Sequence, residues 1–170
     1  MSKSSGQAVN TRREAARASI ATTGEREVRI ERVVDAPRER VWRALTEPEL
    51  VSQWWGRGNR LVVERMELAR GGHWRFVEHT DEAGPQGFEG RYREVTPPER
   101  MVYTFEWDGM PGHVVLETLT LEDLGDGRTR LVTLSLFLTT EDRDGMLSSG
   151  MEEGLNQSYA ALDALLERLR

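Results

Sequence analysis

The segment SGMEEGLNQSYAALDALLERLR, residues 149–170, is the one long stretch of this chain with unbroken helical periodicity. Its apolar residues Met151, Leu155, Tyr159, Leu162, Leu165, Leu166 and Leu169 recur every three or four positions, which places them on one stripe of a helix. Ser149, followed three residues later by Glu152, reads as a capping box and predicts the helix start. The segments before it are strand-like, so one face of a sheet is the natural partner of the stripe. The two halves of the stripe differ. Leu162, Leu165 and Leu166 are bulky enough to seal a core, whereas the first half carries Gly150, Gly154 and Ser158 among its larger residues. Glycine inside a helix costs roughly 1 kcal/mol against alanine, so Gly154 predicts that another group approaches closely or that space is left there.

With 170 residues, 38% of them hydrophobic and 31% charged, the chain suits one domain with a real core. The absence of cysteine removes disulfides, thiolate nucleophiles and Cys-based metal centres, and it accords with a cytoplasmic location. No apolar run approaches the length of about 18 residues that spans a bilayer, so no membrane insertion is expected. The first 24 residues lack the apolar centre of a secretory signal. They hold Lys3, Arg12, Arg13 and Arg17 against Glu14 alone and read as a flexible tail, with a nascent helix over Thr11 to Ile20. Residues 25–170 then form the single domain. With the basic tail set aside, that body is more acidic than the whole-chain charge of −6, which argues against nucleic-acid binding.

Along the body, Glu25 to Val34 alternates as a half-buried strand and ends at Asp35-Ala36-Pro37. Pro37 suits a first helical position, with Val41, Trp42 and Leu45 on one face, and Thr46 caps a second short helix running to about Trp54. Strands follow at Leu61 to Met66, His73 to Thr80, Phe88 to Val95, Met101 to Trp107, His113 to Glu122 and Thr129 to Thr139. Gly84-Pro85, Pro97-Pro98 and Gly125-Asp126-Gly127 mark turns between them.

This order is joined by particular residues. Asp35-Ala36-Pro37 with Val41-Trp42, Thr46-Glu47-Pro48, Trp54-Trp55, Gly71-Gly72, Gly90 with Tyr92 and Glu94, and Pro97-Pro98-Glu99-Arg100 fall in sequence along the body. Through them the chain, from Val28 to Leu169, resembles the activator of heat-shock-protein-90 ATPase homologue family of the START-like (SRPBCC) superfamily. The resemblance implies an α+β helix-grip fold, in which a curved seven-stranded antiparallel sheet grips the long C-terminal helix around a cavity, with two short helices after the first strand. A large concave sheet against one helix seldom fills completely, so a small, largely apolar or amphipathic ligand is expected, and without a phosphate-cradling Gly-rich loop or a dinucleotide fingerprint no cofactor is expected. In the eukaryotic activator a further N-terminal domain makes much of the chaperone contact, so chaperone binding is not expected here.

Strand parity assigns the residues that would line such a cavity. Trp74 and Phe76 share a face with Glu78, Phe88 shares one with Tyr92, and Tyr103 shares one with Phe105. Trp54 and Trp55 are expected near the mouth, and Met151, Gly154, Leu155 and Ser158 on the helix side. Glu78, Glu117 and His113 are the candidate proton-transfer groups if the domain is instead a cyclase- or hydrolase-type enzyme, since a carboxylate under aromatic cover has a raised pKa. A third reading is a chaperone-associated or regulatory interaction domain. No metal site is expected, because His73 and His79, six residues apart on a strand, stand about 20 Å from each other.

Overall fold

A computed structural model describes residues 17–170. Its centre is one antiparallel sheet of eight strands in the order β1-β2-β8-β7-β6-β5-β4-β3. The strands are β1 (Ser19–Thr22), β2 (Glu27–Val34), β3 (Arg60–Met66), β4 (His73–Thr80), β5 (Gly84–Thr96), β6 (Arg100–Trp107), β7 (Val115–Asp123) and β8 (Thr129–Leu136). Helices α1 (Arg38–Thr46) and α2 (Pro48–Val51) follow β2, and α3 (Thr140–Ser148) and α4 (Met151–Arg168) close the chain. Among the described residues no helix is long and apolar enough to cross a membrane.

Period-two patterning sets the faces. In β2 every second residue is buried, namely Val28, Ile30, Arg32 and Val34. The same logic turns Trp74, Phe76 and Glu78 of β4 inward, and Val115, Leu119 and Leu121 of β7. Register shifts between Val63 and Arg65 and between Tyr92 and Glu94 mark irregularities that bend the outer strands. On the concave face lies α4, whose Leu162, Leu165 and Leu166 are almost wholly buried. Arg32 pins it there. Its guanidinium donates to the Tyr159 carbonyl at 3.0 Å and to the Asp163 carboxylate at 2.6 Å, and it lies 5.2 Å from the centre of the Tyr159 ring.

Several expectations change. The sheet has eight strands rather than seven, because Ser19–Thr22 pairs with Val28–Glu31 inside what reads as tail. Ala18 is buried and its N–H donates to Asn156 of α4, so the packed chain starts before residue 25. Of the helix expected over Thr11 to Ile20, Ser19 and Ile20 are strand, and residues 11–16 lie outside the described part. β5 begins at Gly84 and absorbs most of the loop expected over Asp81 to Gly87. The capping box at Ser149 is not formed. The Ser149 hydroxyl donates to the Met146 carbonyl at the end of α3, and α4 starts from Gly150, whose φ of 78° is a left-handed bend that glycine adopts without strain. Helix α3 itself is unforeseen. It buries no residue, so it has no apolar stripe to read, and its one signal is Thr139, whose hydroxyl accepts from Asp142 N–H at 3.1 Å. Thr46 ends α1 instead of capping α2, donating its hydroxyl to the Trp42 carbonyl.

Gly90 shows how tightly the aromatic strands are set. The Trp74 indole N–H reaches across it to the Thr104 carbonyl at 3.1 Å, and a Cβ at position 90 would collide with both groups. Gly90→Ala should therefore lower the stability measured by urea unfolding by about 2 kcal/mol or more. A loss within experimental error would show that this part of the sheet is loosely packed.

Candidate functional site

Between the sheet and the first half of α4 a space of about 700 Å³ remains. It survives because the helix changes character along its length. Leu162, Leu165 and Leu166 fill the interface at one end, whereas Met151 and Leu155 at the other are only half-buried and leave the strands uncovered. The sheet side is aromatic. Trp55 meets Phe76 and Phe88 edge-on at 5.4 and 5.2 Å between ring centres, Phe88 continues to Phe105 at 5.5 Å, and Trp74 lies 5.9 Å from Tyr103. Tyr92 closes the row against Tyr103. Trp54 also borders the space, but its indole N–H is committed to the Ala44 carbonyl at 2.8 Å, so it ties the loop to α1.

One wall is a latch that sequence reasoning missed. Arg57 follows Trp54-Trp55-Gly56 with a φ of 56°, left-handed backbone between two positive-φ glycines, Gly56 and Gly58. Its backbone N–H donates to the Ser158 hydroxyl of α4 at 3.1 Å, and its guanidinium grips Glu78 through Nε to Oε1 at 3.2 Å and Nη2 to Oε2 at 3.0 Å. Asn59 donates to the same carboxylate at 2.7 Å. Gly154 now has its reason, since a Cβ there would sit 2.5 Å from Arg57 Cδ. The close approach read from Gly154 is the Arg57 stem. Gly154 and Ser158 border the space, yet their first task is to receive this loop. The only sequence signal was Gly56-Arg57-Gly58, a cation between two glycines.

The three candidate proton-transfer groups separate. Glu78 is almost wholly buried and fully engaged by Arg57 and Asn59. His113 does not sit on a strand, as expected from its parity with Val115; it lies exposed in the turn before β7, with Nδ1 2.8 Å from Asp142 of α3, at the rim of the space. Glu117 alone sits in the floor. Its cross-strand neighbours are Tyr103 on β6 and Ser135 on β8, and the Ser135 hydroxyl donates to Oε2 at 2.7 Å. Removal from water pushes the Glu117 carboxyl up to about 7, and the Ser135 hydrogen bond only partly offsets that. Burial likewise raises the phenol pKa of Tyr103, and the Glu117 charge raises it further, so Tyr103 stays a neutral donor. No cluster of three or more His, Cys, Asp or Glu among the described residues could hold a metal ion.

A curved antiparallel sheet closed on a long C-terminal helix defines a START-like, helix-grip protein. Residues 35–167 match the family model described as Activator of Hsp90 ATPase homolog 1-like protein, and the chain belongs to that family. Its fold is shared by a protein from Rhodobacter sphaeroides, with 28% identity, 90% of this chain and 99% of that one covered, and a TM-score of 0.82. A protein from Chromobacterium violaceum is 30% identical over 83% of this chain and 97% of its own, with a TM-score of 0.70. One from Arthrobacter aurescens, at 23% identity over 88% and 91% with a TM-score of 0.79, shows the same fold. No curated protein sequence matches the chain.

Two outcomes follow from this geometry. Arg57→Ala leaves a buried carboxylate short of its cation and should cost about 1 to 3 kcal/mol in urea unfolding, the lower end reflecting the half-exposed arginine. Adding Glu78→Gln should recover most of that loss; a double variant no more stable than Arg57→Ala would mean that the pair does not hold the loop. Glu117 acts in the opposite sense. The unfolded carboxyl ionises near 4.5 and the folded one near 7, so the folded state binds its proton more tightly and stability falls as pH rises through that window. Glu117→Gln should therefore stabilise the fold relative to the parent by about 2 kcal/mol in urea unfolding at pH 8, and by much less at pH 5. A difference independent of pH would contradict the burial of that carboxyl.

Proposed function

We propose that this chain is a small-molecule binding protein of the cytoplasm, holding a largely apolar or amphipathic ligand between the sheet and α4. The observation that carries the reading is the space of about 700 Å³ where a core would otherwise be, walled by Trp55, Trp74, Phe76, Phe88 and Phe105. Apolar pockets of roughly 300 to 1,000 Å³ with few polar groups are the usual form of small-molecule sites. The helix side would be contributed by Met151, Leu155 and, behind the Arg57 stem, Gly154 and Ser158. Enzymatic proton transfer finds less support, because Glu78 is neutralised by Arg57 and His113 is held at the rim, leaving Glu117 without a second group.

Displacement of an environment-sensitive dye such as anilinonaphthalene sulfonate, followed by fluorescence, tests the reading. The dye should bind with its emission shifted to the blue, and Leu155→Trp, which fills the space from the helix side, should weaken binding about tenfold or more while the fold survives. Unchanged dye affinity in a folded Leu155→Trp variant would place the binding surface elsewhere.

A further inference from the structure

The charges around the cavity select the kind of ligand. Arg57 is the one arginine among the described lining residues, and it is paired with Glu78 through two of its three guanidinium nitrogens, Nε and Nη2. His113 is paired with Asp142. What remains uncompensated is acidic: Glu117 in the floor and Glu141 at the rim, neither with a cationic partner among the described residues. Glu117 is held through one oxygen by Ser135, and its other oxygen receives no hydrogen bond from the described residues. Beside it stand the phenols of Tyr103 and Tyr159, with Tyr92 against Tyr103, each kept neutral by burial. Arg32, the nearest cation behind Tyr159, is neutralised by Asp163.

From this geometry we propose that the cavity takes an amphipathic amine, with its protonated amino group on Glu117 and its apolar body along Trp55, Phe76, Phe88 and Phe105. The inference rests on the binding function proposed above and names the class of its ligand. An ammonium supplies what the site lacks, the charge that offsets a desolvated carboxylate. An anionic amphiphile such as a fatty acid meets the reverse, since its carboxylate would enter a site whose only open charges are negative. The acidic body also draws cations toward the rim from a distance. Binding an amine ionises Glu117, so the complex should release a proton, and affinity should grow as pH rises through about 7.

Decylamine, decyl alcohol and decanoate, which differ only in the head group, separate the possibilities when titrated calorimetrically into the full chain. At about pH 8 decylamine should bind about tenfold or more tighter than decyl alcohol, with decanoate weakest, and the advantage should shrink at about pH 6. Glu117→Gln, which keeps the shape and the Ser135 hydrogen bond, should erase the advantage of the amine and leave the alcohol unchanged. Decyl alcohol or decanoate binding as tightly as decylamine would overturn the amine assignment while the cavity still binds. An amine advantage that persists in Glu117→Gln would overturn the role of Glu117. If none of the three binds and none displaces the dye, the binding function itself fails.

Discussion

A sheet of eight strands is roughly 35 Å across, and a single helix with its side chains is only about 10 to 12 Å wide. One helix cannot cover such a concave face. The mismatch governs everything else in the molecule. Where α4 carries Leu162, Leu165 and Leu166 the gap closes into core, and Arg32 holds that end by its bonds to Tyr159 and Asp163. Where α4 carries glycine, serine and half-buried side chains the gap stays open, and the loop after α2 spans it by way of Arg57. The helix is thus fastened near its middle by two arginines, Arg57 at Ser158 and Arg32 at Tyr159 and Asp163, and the space lies toward its first half.

Two carboxylates on the same concave face illustrate how neighbours assign roles. Glu78 sits beneath a loop that brings a guanidinium and an amide to it, and becomes a structural anchor. Glu117, on β7, sits three strands along the sheet from Glu78 on β4, between a phenol and a hydroxyl, with no cationic partner among the described residues. Sequence parity points both groups inward but does not distinguish them. The difference lies in contacts from residues 21 positions away for Arg57 and 18 for Ser135.

Much of the fold was legible because its strands alternate strictly and its last helix has a stripe. The inward aromatics Trp74, Phe76, Tyr92 and Tyr103 follow from period-two counting alone, and the site they build follows from them. What was hidden lacked a periodic signal. β1 is four residues long with one partly buried side chain after Ala18, and α3 buries none, so neither could announce itself by hydrophobicity. Ser149 has the residue type of a cap, but α3 already claims it, and a local motif yields to the neighbouring helix. Arg57 and Arg32 were invisible for the opposite reason: charged residues are read as solvated, and here Arg32 is buried against Asp163 while the half-exposed Arg57 reaches down to the buried Glu78, both partners distant in sequence.

The central claim is that the space beside Glu117 is built to be occupied. A crystal structure of the protein purified directly from the cells that make it tests this most directly. The account predicts continuous non-protein density running from the Glu117 carboxyl toward Trp55 and Phe88. A structure in which Met151 and Leu155 have settled against Phe88 and Phe105, leaving no room between helix and sheet, would contradict it.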